Sequence, residues 1–177
     1  AVVHVLEILE KALMEDHQVF IAGNGGSAAT ASHIANDLCK TVINSNPSQK
    51  GFRAIALTDN VPLLTAWAND AGYEEIFAGQ LRSLAKPGDV LIVVSGSGNS
   101  MNVIRAAKVA RDMGMVIIGL LGRDGGQLQP LVDAAVVVPA DEYGPIEDAH
   151  LALNHLITAY FRNWLRAKLT AEVSLDE

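Results

Sequence analysis

One cysteine, few aromatic rings, no basic excess and no long apolar run narrow the possibilities for this 177-residue chain. With Cys39 alone, neither an intramolecular disulfide nor a thiolate zinc cluster can form. Its place among apolar residues of a helical stretch predicts a buried, inert thiol. Aromatic residues make up 5% of the chain against 50% hydrophobic residues overall, so Ala, Val, Leu and Ile must build the interior. That composition suits helices laid over a buried sheet. A formal charge of −7 without any Lys/Arg run excludes a nucleic-acid surface, which needs clustered cations. No stretch reaches the roughly 18–20 apolar residues of a membrane span. Glu7, Glu10 and Lys11 interrupt the segment where a signal peptide would need an apolar run. The expectation is a cytoplasmic enzyme or binding domain with no membrane partner, and the start at Ala1 leaves room for a preceding piece.

What is present alternates. Val3, Leu6, Leu9 and Leu13 recur at helical spacing over 2–14. Short buried strands are predicted at 18–22, 52–57, 89–94, 116–121 and 134–138. Helices are expected at 28–42, in two stretches over 61–84, at 101–113 and at 146–169, with a short one at 127–132. A polar turn containing Pro47 fills 44–51. Strands alternating with helices predict one α/β domain over 1–177, a three-layer sandwich with a five-stranded parallel sheet. Five strands suit a flavodoxin-like order, although the order itself is not readable.

Two loops stand out, each at the carboxyl end of a strand and ahead of a helix, where ligands of such sheets bind. In Gly23-Asn24-Gly25-Gly26-Ser27, Gly25 and Gly26 allow close backbone approach and positive φ, and Ser27 opens a helix whose free N–H groups attract an anion. In Ser95-Gly96-Ser97-Gly98-Asn99-Ser100, three hydroxyls surround two glycines and offer phosphate oxygens a cradle without lysine. Neither loop carries the Gly-Lys-Ser/Thr of a nucleotide P-loop, and Ala28 spoils a dinucleotide fingerprint, so no nucleotide cofactor is expected. Taken singly, either loop could be a turn and a helix cap. The pair points to a phosphorylated ligand.

Acid–base candidates follow from helical arithmetic. His33 and Asp37, four apart, share a helix face. Glu147 and His155 stand about 80° apart in projection on the last helix, whereas His150 points about 140° away from His155. The four residues His33, Asp37, Glu147 and His155 make a conceivable two-histidine, two-carboxylate set for a zinc-like ion. His4 and His17 read as surface residues, Trp67 and Trp164 as packing, and Arg123-Asp124 as a turn.

The two loops, with Asn69-Asp70, Gly122-Arg123-Asp124-Gly125-Gly126 and the stretch from Glu147 to His155, resemble the sugar isomerase (SIS) domain, in its phosphoheptose isomerase branch. The resemblance covers nearly the whole chain. It implies a phosphorylated sugar held by Ser27, Ser95, Gly96, Ser97 and Ser100 with Asn24, Gly25 and Gly26, and substrate contact at Asp70. It also implies a homotetramer with sites between subunits. Asp37 stands where the family has a Glu acid/base, His155 matches its partner, and those two with His33 and Glu147 surround zinc in family members. Three positions depart from the pattern: Asp37 is one methylene short, Glu147 replaces a Gln, and Thr41 replaces an Arg.

The implied activity is isomerisation of sedoheptulose 7-phosphate to a heptose 7-phosphate through an enediol(ate), with Asp37, His155 and Glu147 as catalytic candidates. The alternative is a non-catalytic phosphosugar-binding regulator or replication-initiator adaptor, which would need the loops but not the acid and histidine.

Overall fold

A computed structural model describes residues 1–43 and 49–173. Its framework is β1 (Gln18–Gly23), β2 (Arg53–Ala56), β3 (Val90–Ser95), β4 (Val116–Gly122) and β5 (Ala134–Val138), all parallel, in the order β2-β1-β3-β4-β5. The α-helices are α1 (Val2–Met14), α2 (Gly26–Asn36), α3 (Val61–Asp70), α4 (Ala78–Leu84), α5 (Met101–Asp112) and α6 (Tyr143–Val173). A 3₁₀ segment at Gly126–Leu131 replaces the short helix expected at 127–132. The polar turn expected over 44–51 lies mostly outside the described residues.

Strand side chains alternate between two cores because the β period is two. Val19, Ile21, Ile92, Val94 and Ile118 pack on one face with α1, α2 and α6. Phe20, Ala22, Leu91, Val93 and Ile117 pack on the other with α4 and α5. Trp67 and Trp164 fill packing roles as expected, each partly buried against one of these cores. Phe161 of α6 is buried in the first core and meets Phe52 edge-on at 4.9 Å between centroids.

Two helix boundaries differ from the sequence reading. α6 begins at Tyr143 rather than 146, because Pro145 falls in its first turn, where no N–H is needed. The helix expected over 28–42 starts at Gly26 and passes into a π-helical segment, Asp37–Thr41, in which the Val42 amide reaches back five residues to the Asp37 carbonyl at 3.1 Å. This bulge corrects the expectation for Cys39. A regular helix would carry it inward after Ala31 and Ala35, but the extra residue in the turn leaves it exposed. Its Sγ lies 3.4 and 3.3 Å from the Phe52 and Ala54 carbonyls.

Truncating Phe161 leaves a cavity where α6 meets the sheet. The F161A variant is expected to lose about 3–5 kcal/mol of stability. A chemical-denaturation midpoint unchanged from wild type would contradict this packing.

Candidate functional site

Because β2 lies on one side of β1 and β3 on the other, the chain reverses direction between β1 and β3. The crevice at such a switch point lies beyond the strand ends. Gly23 pairs with Val94 across it, so the loops after β1 and β3 emerge side by side.

In the first loop Gly25 adopts φ +55°, a value that a side chain would strain. Gly26 is already helical and is the first residue of α2. Its missing side chain serves close approach: an added Cβ would run into the Glu147 carboxylate. Asn24 and Asn102 exchange amide hydrogen bonds, at 2.9 and 2.7 Å, and the Tyr73 hydroxyl donates to Asn24 Oδ1 at 3.0 Å. This reciprocal pair ties the first loop to the start of α5, directly behind the second.

The second loop is braced from within, as Ser95 Oγ accepts from the Gly98 amide at 3.0 Å and Ser97 Oγ from the Asn99 amide at 3.2 Å. A cavity of about 170 Å³ between the loops is lined by Asn24, Ser27, Ser95, Gly96, Ser97, Ser100, Tyr143 and Glu147. None of these side chains is a cation. The arrangement offers an anion serine hydroxyls and the free N–H groups at the start of α2.

Further along α2 and α6 a second group forms. One ligand atom each from His33, Asp37 and His155 lies within 4.8 Å of the other two. The His33 and His155 rings meet edge-on at 5.2 Å between centroids, and His33 Nε2 stands 3.3 Å from Asp37 Oδ2. Asp37 is buried, and burial of a carboxylate needs compensating donors. Thr41 Oγ1 donates to its Oδ1 at 2.8 Å, Asn36 to the same oxygen at 3.3 Å, and Asn154 Nδ2 to its Oδ2 at 2.7 Å. The buried acid and the threonine one turn along therefore fit each other. Two imidazoles and a carboxylate match the donor types of a zinc site with an open position.

Not every expected residue joins these two groups. Glu147 is outside the histidine–carboxylate group and lines the serine cavity instead. Asp70 is exposed at the end of α3, accepts from Asn69 at 2.7 Å and does not line the cavity. His150 is buried away from His155, as the helical arithmetic required. Tyr143, Asn102 and Asn154 were missed. Tyr143 was hidden by the boundary placed after Pro145, whereas the two asparagines carry no spacing signal and are recruited only by tertiary contact. Arg123 does shape its turn, with φ +57°, but its guanidinium also lies 5.2 Å from the centre of the Tyr143 ring.

The model of the SIS domain matches residues 1–122. The phosphoheptose isomerase of Geotalea daltonii is 42% identical over 86% of this chain and 78% of its own length. This chain belongs to the SIS-domain family, in its phosphoheptose isomerase branch. Among solved structures, the phosphoheptose isomerase GmhA from Neisseria gonorrhoeae superposes with a TM-score of 0.84 at 36% identity, covering 92% of this chain and 85% of that one. A phosphoheptose isomerase from Francisella tularensis gives 0.83 at 31% identity, covering 92% and 84%. The five-stranded parallel sheet is thus the SIS fold.

His150 generates a pH prediction. Burial holds its imidazole below the ordinary 6.5, outweighing the opposing pull of the Leu121 carbonyl and the Glu147 charge. Among the described residues, its ring nitrogens have no partner in hydrogen-bonding geometry. The unfolded chain takes up this proton first as pH falls through 6.5, so His150 makes stability decline there. Denaturation midpoints measured across that range should fall more steeply for wild type than for H150F. Parallel curves would show that His150 does not titrate differently on unfolding.

Proposed function

We propose that this chain, as one SIS unit over residues 1–177, is a phosphosugar aldose–ketose isomerase that interconverts sedoheptulose 7-phosphate and a heptose 7-phosphate through an enediol(ate). The observation that carries the reading is the convergence of Asp37, His33 and His155 at a distance from a hydroxyl-lined cavity without a cation. Six residues along α2 separate Ser27 from His33, and eight along α6 separate Glu147 from His155, about 9 and 12 Å of helix rise. An open-chain sugar anchored by its phosphate at the cavity can lay its far carbons beside the histidines. A sensor or adaptor would use the cavity, but a buried carboxylate braced beside two imidazoles serves proton transfer.

In this reading the phosphate takes the hydroxyls of Ser27, Ser95, Ser97 and Ser100, with Asn24 holding the first loop in place. Asp37 removes the proton from the terminal carbon of the ketose and returns it to the neighbouring carbon. Thr41, Asn36 and Asn154 fix the carboxylate that does so. His155, exposed to solvent, moves the hydroxyl protons that accompany enediol(ate) formation. His33, Asp37 and His155 would hold a zinc ion, whose charge would polarise the oxygens of the reacting carbons. A homotetramer with sites between subunits, and residence in the cytoplasm, belong to the same proposal on the strength of the family resemblance. Asp70 would then serve the site of a neighbouring copy, consistent with an α3 that buries none of its own residues.

Following aldose formation from sedoheptulose 7-phosphate tests the reading. D37N and H155A are each expected to lower kcat by about 10²-fold or more. Absence of turnover by the wild type, with and without zinc, on any C6 or C7 ketose phosphate would overturn it. Zinc titration monitored by calorimetry should show one site per chain in the wild type and a much weakened one in H33A; equal affinities would remove His33 from the ligand set.

A further inference from the structure

Glu147 has no place in the proton-transfer chemistry, yet it stands at the most sensitive point of the phosphate cavity. It is the one carboxylate among the lining side chains, and no cation faces it there. Its two carboxylate oxygens and Cδ are the nearest atoms to a Cβ built on Gly26, so the group rests against the first residue of α2. Ser27, Ser95, Ser97 and Ser100 line the same cavity, so the carboxylate stands among the hydroxyls an anion would use. No hydrogen bond or salt bridge to another side chain holds Glu147 among the described residues.

We propose that Glu147, a carboxylate lining the phosphate cavity, makes the site selective for phosphate esters over free phosphate; this rests on reading the two loops as a phosphate cradle. A phosphate entering the cavity meets a like charge beside the serine hydroxyls. Free phosphate has only those groups to gain, so it bears the full repulsion. A sugar phosphate also brings hydroxyl donors, which the carboxylate accepts, and the rest of its chain binds beyond the cavity. Glu147 is therefore a specificity-determining residue, acting through charge. Gly26 is required so that the carboxylate can come this close.

The test compares wild type, E147Q and E147D by calorimetric titration with inorganic phosphate and with sedoheptulose 7-phosphate. E147Q keeps the shape and removes the charge, so its affinity for inorganic phosphate should rise about tenfold. Its affinity for the sugar phosphate should rise less, narrowing the ratio between the two ligands. E147D, which withdraws the charge by one methylene, should fall between. A gain in affinity cannot come from damage to the fold. Unchanged or weakened phosphate binding in E147Q, with measurable binding by the wild type, would overturn the inference alone. No phosphate or sugar-phosphate binding by any of the three proteins would overturn the cradle itself, and the inference with it.

Discussion

The site depends on the parallel pairing of β1 with β3, from Val19↔Val90 to Gly23↔Val94. These strands are far apart in sequence but adjacent in the sheet, and the chain leaves them in opposite directions. Their carboxyl ends therefore open into a crevice without a crossover above it. A Gly/Ser loop at the end of each strand becomes half of a cradle only because of this adjacency. The Asn24–Asn102 amide exchange then locks the halves at fixed spacing.

Two helices carry that geometry outward. α2 leaves the first loop and α6 crosses it, and both pack on the same face of the sheet through Ala31, Ile34, Ile157 and Phe161. Their shared core sets the position of His33 and Asp37 against His155. It also places Glu147 over Gly26, at the other end of the same pair. One packing interface thus governs both the serine cavity and the histidine–carboxylate group. The π-helical turn at Asp37–Thr41 adds a local adjustment, bringing Thr41 onto the Asp37 carboxylate and turning Cys39 out to solvent.

Asp37 and Glu147 sit in different surroundings. Asp37 and Thr41 compensate each other, since a short acid held by a short hydroxyl donor is still fully hydrogen-bonded in a buried position. Glu147 is not compensated by a cation. The glycine beneath it makes room for its carboxylate beside the serine hydroxyls.

Local chemistry was legible from the sequence alone. Short apolar runs alternating with helical stretches marked the five strands, the glycine and serine loops marked the ligand end, and four-residue spacing put His33 and Asp37 on one face. Helical arithmetic also separated His150 from His155. Those features depend on residues close together in the chain, where bond geometry fixes the period. Strand order, the pairing of the loops, the union of His33 and Asp37 with His155, and the removal of Glu147 from that group were decided by tertiary structure. So were the roles of Asn102, Asn154 and Tyr143. Each depends on contacts between segments far apart in sequence, set by how two cores pack against one sheet, and no periodicity along the chain encodes such a contact.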